Sequence, residues 1–277
     1  MIVVELGVGA FALCADEPRF GNSNLGLVID SDGMSLIDSL CTPALAADAD
    51  AEIRELTTHL ELAIKRVVLT SSRIPFTGGS TIFWRAGFFG SEPVSDQLDQ
   101  PVNTIVLKQL IPQHAAAFHG EFITRPVTHT VSQAARLTNA AVVHLLPGES
   151  ALNTVVHVPG ADVVFLGALG SFGVTPLAFD GDPAAWADSL DAVLEMGTTF
   201  VPGHGLPAER SAVADQAEYL RACVEADGDP SVIPPGPWDR WTDRRFDEAN
   251  VERAARLARG DTSTPEAMYR LLGIGTS

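Results

Sequence analysis

Thr199-Phe200-Val201-Pro202-Gly203-His204-Gly205 runs from a β-branched and aromatic triplet straight into a turn that carries an imidazole. The triplet reads as a short buried strand, and Pro-Gly stops it, because proline lacks a ladder donor and glycine tolerates turn conformations. Beyond the turn, Pro207–Ala226 shows helical apolar spacing. Before it, Asp182-Pro183 offers an N-cap and a first-turn proline to an amphipathic helix through Trp186, Leu190, Val193 and Leu194. Helix, strand, imidazole turn and helix in succession belong to a layered α/β protein.

Further upstream, VVEL, AFALCA, LGLVID and MSLID are short strand-type runs separated by Gly, Asn, Asp and Ser. Asp32-Gly33 reads as a two-residue hairpin loop. Thr42-Pro43 opens a helix with apolar Leu45, Ile53, Leu56 and Leu60, and Lys65–Thr70 returns as a strand. The segment 78–100 fits no single pattern. Strands are expected at Asn103–Leu107, Phe118–Thr124, Ala140–Leu146, Thr154–Val158 and Asp162–Leu166. Two β-rich halves with helices outside predict a four-layered αββα sandwich over residues 1–226. Residues 227–277 read as an extended connection holding Pro230, Pro234, Pro235 and Pro237, then helices over Asp247–Arg259 and Thr264–Leu272, a helical C-terminal extension packed on the same domain.

Across 277 residues, 18 Lys+Arg against 35 Asp+Glu give a formal charge of −17. Such a chain repels phosphate backbones and anionic bilayers, so neither nucleic acid nor a membrane is expected as partner. With 46% hydrophobic residues it can bury a sizeable core. Cys14, Cys41 and Cys223 form no CxxC pair, which argues against a disulfide framework or a cysteine zinc site and for a reducing compartment. The apolar N-terminus has no basic flank and is interrupted by Glu5, so it reads as a first strand and the location as cytoplasmic. A small-molecule substrate or ligand is the expected partner, and a homo-oligomer is compatible with the composition.

Several separated pieces together resemble one family. Asn22-Ser23-Asn24-Leu25-Gly26-Leu27-Val28-Ile29 leading to Leu36-Ile37-Asp38 is similar to the opening strands and first aspartate of the metallo-β-lactamase superfamily. Thr70-Ser71-Ser72-Arg73-Ile74-Pro75-Phe76-Thr77-Gly78-Gly79 stands where that family has THxHxDHxGG, keeping the threonine and the glycines. Leu145-Leu146-Pro147-Gly148-Glu149-Ser150 resembles its GHT motif, Phe165-Leu166-Gly167-Ala168 its Gly-Asp strand, and Val201–Gly205 its PGHG turn. The resemblance covers roughly residues 1–225 and implies the αββα metallo-β-lactamase fold.

It does not imply the family's metal. Zinc needs imidazole, thiolate or carboxylate donors, at least three from the protein. The ligand positions of the loop are here Ser71, Arg73, Pro75 and Phe76, the GHT histidine is Glu149 and the Gly-Asp aspartate is Ala168. His204 alone persists, and Arg73 brings a permanent positive charge to a place meant for a cation. We therefore expect no metal and no other cofactor in a divergent, degenerate site.

The resemblance also implies that Ser71, Arg73, Glu149 and His204 converge. His204 would then act as acid/base with Glu149 orienting it, Ser71 as nucleophile or donor, and Arg73 as binder of an oxyanion or carboxylate. Phe76, Trp84, Trp238 and Trp241 are the candidate substrate-binding aromatics, the last two as a lid. The first functional reading is a metal-independent enzyme on a carbonyl-bearing small organic molecule, of hydrolase, lyase or cyclase type, in specialised metabolism. The alternative is a non-catalytic pseudoenzyme that binds a ligand or partner, with Arg73 merely paired to Glu149 or Asp38. A metal hydrolase with relocated ligands comes third.

Overall fold

The computed structural model describes residues 1–274. β1 (Ile2–Gly7), β2 (Ala10–Cys14), β3 (Leu25–Asp30) and β4 (Gly33–Ile37) form an antiparallel meander. α1 (Pro43–Leu56) leads to β5 (Ile64–Val68), which pairs parallel with β4. After the single-turn α2 (Ile74–Thr77) come β6 (Gly87–Ser91), α3 (Glu92–Leu98), α4 (Thr104–Leu110) and β7 (His129–Val131), closing a sheet in sequential order β1 to β7. The second sheet holds β8 (Ala135–Arg136), β9 (Val142–Leu146), β10 (Asn153–Val158) and β11 (Val163–Ser171), all antiparallel neighbours. α5 (Pro183–Val193) connects to β12 (Thr199–His204), which lies parallel to β11. α6 (Arg210–Glu225), α7 (Asp247–Ala258) and α8 (Glu266–Leu271) finish the chain.

Period-two alternation in the strands sorts side chains into the layers. Val143, Val156, Val163 and Phe165 face Ala12, Val28, Ile37 and Val68 across the two sheets. Their neighbours Val155, Val164 and Leu166 point outward to Trp186 and Leu190 of α5 and Val213, Ala217 and Leu220 of α6. On the far side, Leu25, Leu27, Leu36 and Val67 pack under Ala46, Ala49 and Ile53 of α1. The four-layered αββα architecture is therefore present, and the tail joins it: Trp238 and Val251 belong to the α5/α6 core. Among the described residues no helix is long and apolar enough to cross a membrane.

Local chemistry starts the helices where the sequence indicates. Thr42 Oγ1 accepts from Leu45 N at 3.3 Å with Pro43 at the first turn, and Asp182 Oδ1 accepts from Ala184 N and Ala185 N at 3.0 and 3.2 Å. Some expectations fail. Asn103–Leu107 is the start of α4 rather than a strand: Asn103 caps it by accepting from Val106 N at 3.1 Å, and that outweighs the β-branched Thr-Ile-Val run. Phe118–Thr124 forms no regular element, and Phe118 is buried against Phe122. The hairpin loop is Ser31-Asp32, one residue earlier than expected, because Gly33 at φ 145° already pairs with Asp30. The Pro-rich connection includes a short 3-10 turn over Pro230–Val232.

Candidate functional site

The turns after β5, β9, β11 and β12 meet at one end of the sandwich, and hydrogen bonds between them set their spacing. Thr70 is the hub. Its N–H and Oγ1 donate to the two oxygens of Asp38 at 2.8 and 2.7 Å. Its carbonyl accepts from Thr154 N and Asn153 Nδ2, and its hydroxyl oxygen accepts from Ala168 N at 3.0 Å. Asp38 itself sits at φ 65°, fully buried, and desolvation pushes its carboxyl up to about 8. It holds the loop and is not paired with Arg73. Gly167, at φ 51°, leaves no room for a Cβ beside Thr70, which explains a glycine there.

Asn22-Ser23-Asn24 secures the imidazole turn. Asn24 N donates to Gly203 O at 2.8 Å, and Asn24 Nδ2 donates to the carbonyls of Pro202 and Gly205 at 2.9 and 2.6 Å. His204 is buried between the rings of Phe20 and Phe76, with centroids 5.4 and 5.3 Å away. Its Nδ1 lies 3.2 Å from Asn22 O, so the proton is assigned to Nδ1, and among the described residues Nε2 has no hydrogen-bond partner. Burial pulls the imidazole down to about 4, leaving it neutral at physiological pH.

Glu149 is buried under the same loop. Oε2 accepts from Ser71 Oγ at 2.8 Å and Asn153 Nδ2 at 3.0 Å, and Oε1 lies 3.4 Å from Arg73 Nε. Desolvation pushes its carboxyl upward, opposed chiefly by Arg73. Arg73 Nη2 also pairs with Asp180, and the guanidinium lies over the Phe179 ring at 5.0 Å. The ion pair expected between Arg73 and Glu149 is thus present, with a second carboxylate, Asp180, that no motif announced. The expected orientation of His204 by Glu149 is not: a backbone carbonyl orients the ring. Ser71 is fully buried, its hydrogen goes to Glu149, and it does not line the cavity, so it is not presented as a nucleophile.

Arg73, Glu149 and His204 reach a cavity of about 230 Å³. Its wall is mainly apolar: Ile74, Pro75 and Phe76 from α2, Val106, Leu107 and Leu110 from α4, and Leu177 and Phe179 after β11. Of the aromatics proposed from the sequence, Phe76 lines it. Trp84 does not. It is 60% exposed beside a second depression near α1, under the Arg85 guanidinium. Nor do Trp238 and Trp241, which pack on Tyr219 of α6 at 6.0 and 5.4 Å, because indole area is better buried on the helical layer than left as a lid. Sequence patterns do not reveal α4 or Phe179 in the wall, because Thr104-Ile105-Val106 reads as a strand and Phe179 sits in a loop without pattern.

Zinc does not fit this donor set. Both oxygens of Glu149 are already engaged, Oε2 by Ser71 and Asn153 and Oε1 by Arg73, Ala168 has no donor side chain, and a guanidinium stands beside the carboxylate. Among the described residues no three His, Cys, Asp or Glu side chains gather closely enough to hold a metal ion. The three cysteines are buried thiols, with desolvation pushing Cys14 up to about 11 and Cys223 up to about 12.

No protein-family model matches the chain, and no curated protein does. Solved structures do. The metallo-β-lactamase FIM-1 from Pseudomonas aeruginosa, in its mono-zinc form, superposes with a TM-score of 0.60 at 18% identity, covering 79% of this chain and 94% of that one. DIM-1 metallo-β-lactamase exposed to ceftazidime gives 0.60 at 15% identity, and the metallo-β-lactamase from Hirschia baltica 0.59 at 17%, each covering 79% of this chain and 96% of the other. At these identities the likeness is one of architecture, and on that ground the chain has the metallo-β-lactamase fold, with a divergent site in which an arginine–carboxylate cluster stands among the loops.

Proposed function

We propose that this chain is a metal-independent protein of the metallo-β-lactamase fold that takes a small carbonyl-bearing organic molecule into the cavity beside α4 and acts on it with His204 as base and Arg73 as donor to the carbonyl oxygen. The observation that carries this reading is the presence of a neutral imidazole nitrogen, without a partner among the described residues, and one part-exposed guanidinium on a mainly apolar wall. A conjugate acid near 4 makes His204 an acceptor of protons rather than a resting donor at neutral pH, so the base role precedes any acid role. Hydrolase, lyase and cyclase chemistry share this first step.

The second reading, a binding protein without turnover, is favoured by the engaged state of the nearby hydroxyls: Ser71 is sealed against Glu149, and Ser171, opposite His204 in the strand register, donates its hydroxyl to Val174 O at 2.7 Å. One experiment separates them. The purified chain and a His204→Ala variant are incubated with a small-molecule extract and with a panel of esters, lactones and β-hydroxy ketones, and consumption is followed by mass spectrometry. Compounds consumed by the parent and spared by the variant, at matched melting temperature, bear out the enzyme. Retention of compounds without consumption by either bears out the binding protein. Equal consumption by both defeats the role given to His204.

A further inference from the structure

Charge around Arg73 restricts the ligand further, and this step rests on the cavity being a small-molecule site. The guanidinium would suggest an anionic ligand if it stood alone. It does not: Nε faces Glu149, Nη2 is paired with Asp180, and Nη1 is the position for which no partner is found among the described residues. Glu149 receives hydrogen bonds from Ser71 and Asn153 and approaches Arg73, an all-donor surrounding that suits a carboxylate. With both acids ionised the cluster is one charge negative, and with Glu149 protonated it is neutral. In neither state is there positive charge to spare.

The other charged groups nearby do not reverse this. Asp243 beside His204 is matched by Arg245. Arg253 directs its donors to the backbone carbonyls of Asp180, Gly181, Thr262 and Ser263, and it does not line the cavity. The whole chain adds a formal −17, a field that repels anions at a distance. The rest of the wall is mainly apolar, and its remaining polar members, among them Gln97, Gln100, Asn103 and Thr124, carry no charge.

We propose that the cavity selects a neutral molecule, carrying a carbonyl-type oxygen for Arg73 Nη1 and an apolar body for the α4 wall, and rejects carboxylates of the same shape. This departs from the carboxylate-binding role that the sequence suggested for Arg73. The guanidinium then works as a hydrogen-bond donor whose charge is already spent on two acids.

Benzylacetone and hydrocinnamate test it, since they differ by a methyl ketone against a carboxylate on one phenylethyl body, and phenylpropylamine adds the cationic counterpart. Affinities are measured by ligand-observed NMR and calorimetry on the full chain at pH 7. Benzylacetone is expected to bind about tenfold more tightly than hydrocinnamate, the factor that one unit of poorly matched charge produces in a partly solvated site, and more tightly than phenylpropylamine, whose ammonium offers Arg73 Nη1 no acceptor. An Asp180→Asn variant is expected to narrow the gap to hydrocinnamate severalfold. Hydrocinnamate binding as well as or better than benzylacetone, or phenylpropylamine binding best, overturns the neutral-ligand inference while the cavity still counts as a binding site. If none of the three binds in the parent chain, the small-molecule reading falls with it. A gap that Asp180→Asn leaves unchanged in a folded variant contradicts the electrostatic cause.

Discussion

Arg73, Glu149 and His204 owe their states to burial weighed against partners. Glu149 holds three donors in place, so Glu149→Ala strands Ser71, Asn153 and one edge of Arg73 together. We expect a loss of about 2–3 kcal/mol in urea unfolding, below the cost for fully buried pairs because Arg73 keeps contact with water. Asp180→Ala, on a side chain 45% exposed, should cost under about 1 kcal/mol by the same measurement. For His204, burial holds the imidazole at about 4 against an ordinary 6.5, so the unfolded chain protonates first as the solution is acidified. The stabilisation is complete above about pH 6.5 and is lost progressively down to about pH 4. His204→Asn should therefore show a shallower fall in melting temperature than the parent between those pH values, whatever its stability at pH 7. At this scale the sequence announced His204, Arg73 and Glu149 through motif positions. It placed Asn22 in a motif without its carbonyl contact to His204, and it was silent on Asn153 and Asp180, since a single side-chain amide bond or one ion pair leaves no periodic trace.

Among the elements, those with a cap and an apolar stripe were legible. α1 and α5 begin at Thr42 and Asp182, as read from Thr-Pro and Asp-Pro. β7 and β8 were not, being three and two residues long and too short for alternation to register. α4 reads as a strand from its Thr-Ile-Val run but is helical, because intrinsic β-preference is a weak guide next to a capping asparagine and burial of Leu107 against Cys41 and Ile111. That strand reading hides the cavity wall. α7 contributes Arg253, whose guanidinium donates to four carbonyls in two separate loops and so ties residues 180–181 to 262–263. Arg253→Ala is expected to cost about 2–4 kcal/mol in urea unfolding, since buried carbonyls lose charged donors, whereas Arg221→Ala on exposed α6 surface should stay within about 0.5 kcal/mol.

For the whole molecule, the αββα order follows from which strand faces are apolar, and the tail is part of the same core because Trp238 and Val251 fill the α5/α6 layer. We expect the chain to melt in one transition, and a chain ended at Ala226 to lose that cooperativity, with Tyr219 and Leu220 exposed; calorimetry with dye binding would show it. Resemblance of motif order gave the architecture. The chemistry lies in the positions where the motifs were broken, and the account there makes one central claim: the loop whose sequence resembles a metal-binding motif holds an arginine paired to two carboxylates in place of metal donors. Elemental analysis of chain purified without chelator, paired with melting curves in added zinc and in EDTA, tests it most directly. The account predicts metal far below one equivalent and no shift of the melting temperature with either reagent. One equivalent of zinc per chain, with a melting temperature that falls in EDTA and returns on adding zinc, would contradict it.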